Sequence, residues 1–162
     1  MRKIFLAALL VIMMSASTAL ASGWEKIYTD DSDNKIYFDT DTVKVFSKFA
    51  DDATFSAAFR MVYSDRGRAT LIDWYRNNSI MPRGIENLSY DVATVQFKKE
   101  GDRIFYYISE RKAYTATGAS IVDMHYTSSV ADWKEIPPSS VIEVEYYTAI
   151  LIVQDKKFHP NE

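Results

Sequence analysis

The chain has 162 residues, with 19 basic against 22 acidic side chains and a formal net charge of −3. Hydrophobic residues make up 48% and aromatics 14%, which excludes a disordered or fibrous chain, and the length suits a single domain. The acidic balance argues against a nucleic-acid partner, which needs a concentrated basic face, and two histidines with no cysteine remove thiol nucleophiles, disulfides and most zinc patterns.

The N-terminal segment reads as a targeting signal. Arg2 and Lys3 precede an apolar run from Ile4 to Met14, and Ala19-Leu20-Ala21 is the small-x-small pattern that a signal peptidase accepts. The run is shorter than the roughly 20 apolar residues needed to cross a bilayer. Residues 1–21 are therefore expected to be a signal peptide and 22–162 one exported domain, with no membrane span once the signal is cleaved. With no cysteine to acylate, soluble export is favoured over a lipid anchor, and the location is extracytoplasmic, either periplasmic or secreted.

Residues 24–29 read as a first strand, ended by Asp30-Asp31-Ser32-Asp33-Asn34, whose Asx side chains suit a turn. Ile36-Tyr37-Phe38 resumes the extended run, and Asp39-Thr40-Asp41 punctuates it before Val43-Lys44-Val45-Phe46. Over 54–63, Phe55, Ala57, Phe59, Met61 and Tyr63 alternate with Ser56 and Arg60, as in a half-buried strand. Asp65-Arg66-Gly67-Arg68 reads as a turn. The pattern over 69–78 fits helix or strand, with a lean to strand, and 77–88, with Pro82 and Gly84, reads as a loop over an edge of the sheet. Strands at 91–98 and 103–110 flank the turn Lys99-Glu100-Gly101-Asp102, and another strand follows at 120–126.

The last element begins after Pro137-Pro138-Ser139-Ser140. Ser140 with Glu143 matches a capping box, and Ile142, Tyr146, Ala149, Ile150 and Val153 recur at helical spacing. The many β-branched residues favour a strand, which stays the alternative. The fold expected is α+β: a single antiparallel sheet of about six strands packed against a C-terminal helix, the simplest way for both to bury an apolar face.

Chemistry-bearing patterns are few. His125 lies two residues from Asp123 on one strand face, a pairing more typical of a surface histidine without a third partner, and His159 falls in a polar tail. The aspartates from Asp30 to Asp41 suggest calcium, but an EF-hand counted from Asp31 puts Lys35, Ile36 and Thr42 where an oxygen ligand, glycine and glutamate belong. No nucleophile elbow, phosphate loop or His-Glu-x-x-His occurs, so no enzyme, cofactor or metal is expected. Lys98, Lys99, Arg103, Arg111 and Lys112 flank one hairpin and interleave with Phe97, Phe105, Tyr106 and Tyr107. Lys98, Lys99, Arg103, Tyr106, Arg111 and Lys112 form the candidate contact surface for an acidic partner. The competing reading is a solvated sheet margin whose lysines discourage edge pairing.

Three stretches carry a resemblance. They are Trp24-Glu25-Lys26-Ile27 with 36–43; Val95-Gln96-Phe97-Lys98 with 103–114 and Gly118; and 133–140 with Glu143 and Tyr146-Tyr147. In this order they resemble the surface-adhesin protein E family of exported bacterial proteins, with 64–90 poorly matched. The resemblance implies an antiparallel sheet with a C-terminal helix, an extracytoplasmic location, and binding of host matrix or serum proteins. Relatives commonly carry a cysteine pair and the adhesin a lipid-anchoring cysteine, and this chain has neither. The functional expectation is an exported, non-enzymatic binding module with a host-matrix or envelope protein as partner, a homodimer being a further expectation. The alternative is a periplasmic envelope component or small-ligand carrier.

Overall fold

The computed structural model describes residues 23–47, 54–126 and 133–158. The expected signal peptide and His159 lie outside the described residues. Strands β1 (Trp24–Thr29), β2 (Lys35–Ser47), β3 (Thr54–Val62), β4 (Leu88–Glu100), β5 (Arg103–Thr115) and β6 (Ser120–His125) pair in chain order, every neighbour antiparallel. A two-residue β7 (Lys134–Glu135) adds to β5 through the Phe105–Glu135 and Tyr106–Lys134 pairs. Helix α1 (Asp65–Asn77) crosses from β3 to β4, and α2 (Val141–Phe158) closes the chain. The expected antiparallel sheet with a C-terminal helix is observed. Among the described residues no helix is long and apolar enough to cross a membrane.

Both helices pack on one side of the sheet, which we call the inner side. Tyr146, Ala149 and Val153 of α2 bury against Phe38, Val43, Phe55, Ala57, Phe59, Val95 and Phe97. Rings lock this core: Phe55 and Phe97 lie 5.8 Å and 5.6 Å from Tyr146, and Phe38 stacks on Phe59 at 5.3 Å. Such ring pairs add about 0.5–1.5 kcal/mol each beyond the area they bury. At the other end, Leu71, Ile72 and Tyr75 of α1 pack with Ile85, Leu88 and Ala113. Ile85 opens a single 3-10 turn (Ile85–Asn87) and is fully buried, so the loop of 77–88 is pinned to the sheet by its own side chain.

Three local expectations are corrected. Residues 65–77 form α1, in place of the turn expected at 65–68 and the strand favoured over helix for 69–78. Ser64 is the N-cap: its Oγ accepts the Gly67 N–H at 2.9 Å and donates to the Ser32 carbonyl. The 54–63 strand is buried on both sides at its centre, Phe55 through Phe59. The segments around Ile36 and Val43 form one strand, since Asp39 Oδ1 accepts the Asp41 N–H at 3.1 Å and Thr42 Oγ1 accepts the Ala58 N–H at 2.9 Å across the irregularity in β2. Asp30 behaves as its sequence suggests, its Oδ1 accepting the Ser32 and Asn34 N–H groups at 2.9 Å.

Candidate functional site

A β-bulge decides where the hairpin side chains point. Thr94 pairs with Glu110 but Val95 pairs with Ile108, so Ser109 is the extra residue on β5, held by its Oγ donating to the Thr94 carbonyl at 3.1 Å. One extra residue reverses the alternation of everything beyond it. Before the bulge Ile104, Tyr106 and Ile108 face inward; after it Arg111 and Ala113 do. The six candidate residues are therefore split three and three. Lys99, Tyr106 and Arg111 lie on the inner side, and Lys98, Arg103 and Lys112 on the outer side.

The inner three do different work. Tyr106 packs against the α2 core, and Lys99 pairs across the hairpin with Ile104. Arg111 is the cation of a buried network. Its Nε donates to Asp91 Oδ2 at 2.7 Å and Nη2 reaches Tyr63 Oη at 3.1 Å, while Tyr63 donates to the same Asp91 oxygen at 2.7 Å. The Asp91 side chain is only 7% exposed, so the ion pair sits in a medium where breaking it is costly. Burial and the Asp91 charge both push the Tyr63 hydroxyl far up; burial opposes the Arg111 charge, but Asp91 more than offsets it. Glu145 of α2 is buried nearby. Loss of water, and secondarily the Asp91 charge, push its carboxyl up to about 8. Sequence reading missed this group, because Asp91, Arg111 and Glu145 come from β4, β5 and α2 and Tyr63 lies just past the end of β3.

Of the outer three, Lys98 and Arg103 sit among aromatic rings and Lys112 between two carboxylates. Lys98 Nζ lies 4.9 Å from the Trp133 ring centre and 5.5 Å from Phe105, and pairs with Glu100 at 2.7 Å. Arg103 lies over the same Phe105 ring at 5.1 Å, with Glu135 at 4.0 Å. Lys112 Nζ is 2.7 Å from Glu110 Oε1, which holds the lysine proton more tightly and the Glu110 carboxyl below its ordinary range.

Toward β1 a second group appears that the sequence reading did not single out. The Arg60 guanidinium lies 4.9 Å from Trp24, 5.1 Å from Tyr37 and 5.9 Å from Tyr90, and Tyr90 stacks on Tyr114 at 5.0 Å. Arg60 has no carboxylate partner among the described residues, and its Nε has no hydrogen-bond partner among them. Strand alternation alone puts Arg60 opposite Phe59 and Met61, but only the register of four strands collects the rings around it. On the outer face no helix packs among the described residues, and the face presents cations and flat rings from Trp24 to Trp133.

These features define a class: an α+β sheet with its helices on one side and a cation–aromatic face on the other. No protein-family model, curated protein or solved structure matches the chain.

Proposed function

We propose that this protein is an exported, non-enzymatic binding module that resembles surface-adhesin protein E and contacts another protein through the outer face of its sheet. The observation that supports the reading is the face itself. Lys98 and Arg103 share the Phe105 ring, Lys112 lies further along β5, and Arg60 sits among Trp24, Tyr37 and Tyr90. Aromatic rings and arginine are the side chains enriched where protein surfaces are recognised, because they bring large contact area with directional polar groups. The cations favour an acidic partner, of host matrix or of the envelope. Of the six residues first read as the contact surface, Lys98, Arg103 and Lys112 keep that role in this proposal; Lys99, Tyr106 and Arg111 belong to the inner side.

The test replaces two outer cations together. Arg103→Ala with Lys112→Ala is expected to weaken capture of a partner from host-matrix or envelope extract while leaving the melting temperature nearly unchanged, because the Arg103 side chain is 64% exposed and Lys112, 32% exposed, is held in surface ion pairs, which contribute little to stability. Capture equal to that of the native protein ends the proposal. Fractionation of the native cells tests the location separately: recovery with the cytoplasm contradicts export.

A further inference from the structure

His125 has a third partner that its own strand does not show. Glu110 of β5 pairs directly with His125 of β6, and Lys112 pairs with Asp123, so Glu110, Lys112, Asp123 and His125 meet on the outer face. One donor atom each from Glu110, Asp123 and His125 lies within 4.8 Å of the other two. Glu110 Oε1 is 3.4 Å from His125 Nδ1, and Asp123 Oδ1 is 3.1 Å from His125 Nε2. Zinc bonds of about 2.0–2.1 Å in tetrahedral geometry separate two ligands by roughly 3.3 Å, so the Glu110–His125 spacing already matches one edge of such a site.

We propose that Glu110, Asp123 and His125 form a divalent transition-metal site, whose two carboxylate charges are partly offset in the metal-free protein by the Lys112 ammonium. An imidazole with two carboxylates selects zinc, nickel or copper over magnesium or calcium, because the nitrogen donor suits the softer ions. In the metal-free arrangement the two imidazole nitrogens face different carboxylates, Nδ1 toward Glu110 and Nε2 toward Asp123. An ion binds one nitrogen only, so Asp123, whose side chain is 51% exposed, turns toward the Glu110 side as the ion enters. Lys112 Nζ, 2.7 Å from Glu110 and 3.9 Å from Asp123, occupies the space between the carboxylates and leaves as the ion arrives. Three protein ligands and a solvent-facing fourth position make the site an open one. The site is separate from the Arg60 group and from the buried Arg111 network.

The experiment is a titration of the purified protein with zinc chloride, followed by calorimetry and by the imidazole proton signals of His125. A single saturable site that shifts the His125 signals is expected. His125→Gln should weaken binding by more than about tenfold, the least that even outer partners of a metal ligand cost. Lys112→Met should tighten it by up to about fivefold, the factor a surface ion pair is worth. His159→Gln, a histidine outside the site, should change nothing. No saturable binding, binding that survives His125→Gln, or binding that is lost with His159→Gln would each overturn the proposal.

Discussion

At the residue scale, Gly67 shows how a contact overrides propensity. It sits in the first turn of α1, where alanine would ordinarily improve the helix by about 1 kcal/mol. Here a Cβ would fall 1.9 Å from Asn34 Oδ1. Asn34 cannot retreat cheaply, since the same oxygen accepts the Ser64 N–H at 3.0 Å and its Nδ2 donates to Asp30 at 2.9 Å. Gly67→Ala is therefore expected to destabilise the protein by about 1–3 kcal/mol in chemical denaturation, the usual cost of overpacking. Arg111 makes the complementary case. Arg111→Met is expected to cost about 3 kcal/mol or more, because it leaves the Asp91 carboxylate buried without its cation. The same loss from Arg103→Met would contradict the split of the hairpin residues between the two sides. Read from sequence, Arg111 is one more basic residue of a surface hairpin; its inward position beside the buried Asp91 follows from one bulged residue.

At the scale of elements, the two helices were unequally legible. α2 announced itself: Ser140 caps it, its Oγ accepting the Glu143 N–H at 3.3 Å, although the Glu143 carboxylate returns to the Ser139 N–H at 2.6 Å rather than to that of Ser140. The strand alternative for this segment fails because the cap and the preceding Pro137-Pro138 commit the backbone before the β-branched run begins. α1 was hidden because its N-cap signal, Ser64, is followed three residues later by Gly67 instead of an acid or amide, and its apolar residues are few. α2 also carries the protein's clearest pH dependence. The Glu145 carboxyl is pushed up to about 8 in the folded protein and titrates near 4.5 when the chain is unfolded. Between these values the folded state binds more protons, so stability falls as pH rises, by at most about 1.4 kcal/mol per unit, and levels off above about 8. Denaturation at pH 6 and pH 9 should show the loss, and Glu145→Gln should remove most of the slope. An unchanged slope in that variant would show that another group is responsible.

For the whole molecule, the decisive feature is that both helices choose the same side of the sheet. Phe38, Phe55, Phe59 and Phe97 line that side in adjacent strands, and covering them takes α2, while Leu88 and Ala113 take α1. What is left is a face whose rings and cations stay partly solvent-facing, and the binding proposal and the metal proposal both lie on it. The helix that covers the core is itself apolar outward as well as inward: Tyr147 is 53% and Leu151 64% exposed, beside an open depression that also touches Glu143, Val144 and Thr148. The apolar spacing of α2 shows that one face is buried without showing where that face ends, since Tyr146 and Tyr147 are adjacent, chemically alike, and one is buried while the other is not.

The strands at 24–29, 91–98, 103–110 and 120–126, the hairpin turn at Gly101 and the capped final helix are local matters, written in alternation, turn residues and a cap within a few positions of one another, and the sequence by itself determined them. Which side each hairpin residue faces, the burial of Arg111 against Asp91, and the meeting of Glu110 with His125 were decided only by the tertiary structure. Each depends on register between strands, and register is set by the summed packing of the whole sheet and by its irregularities, the bulge at Ser109 above all for the hairpin.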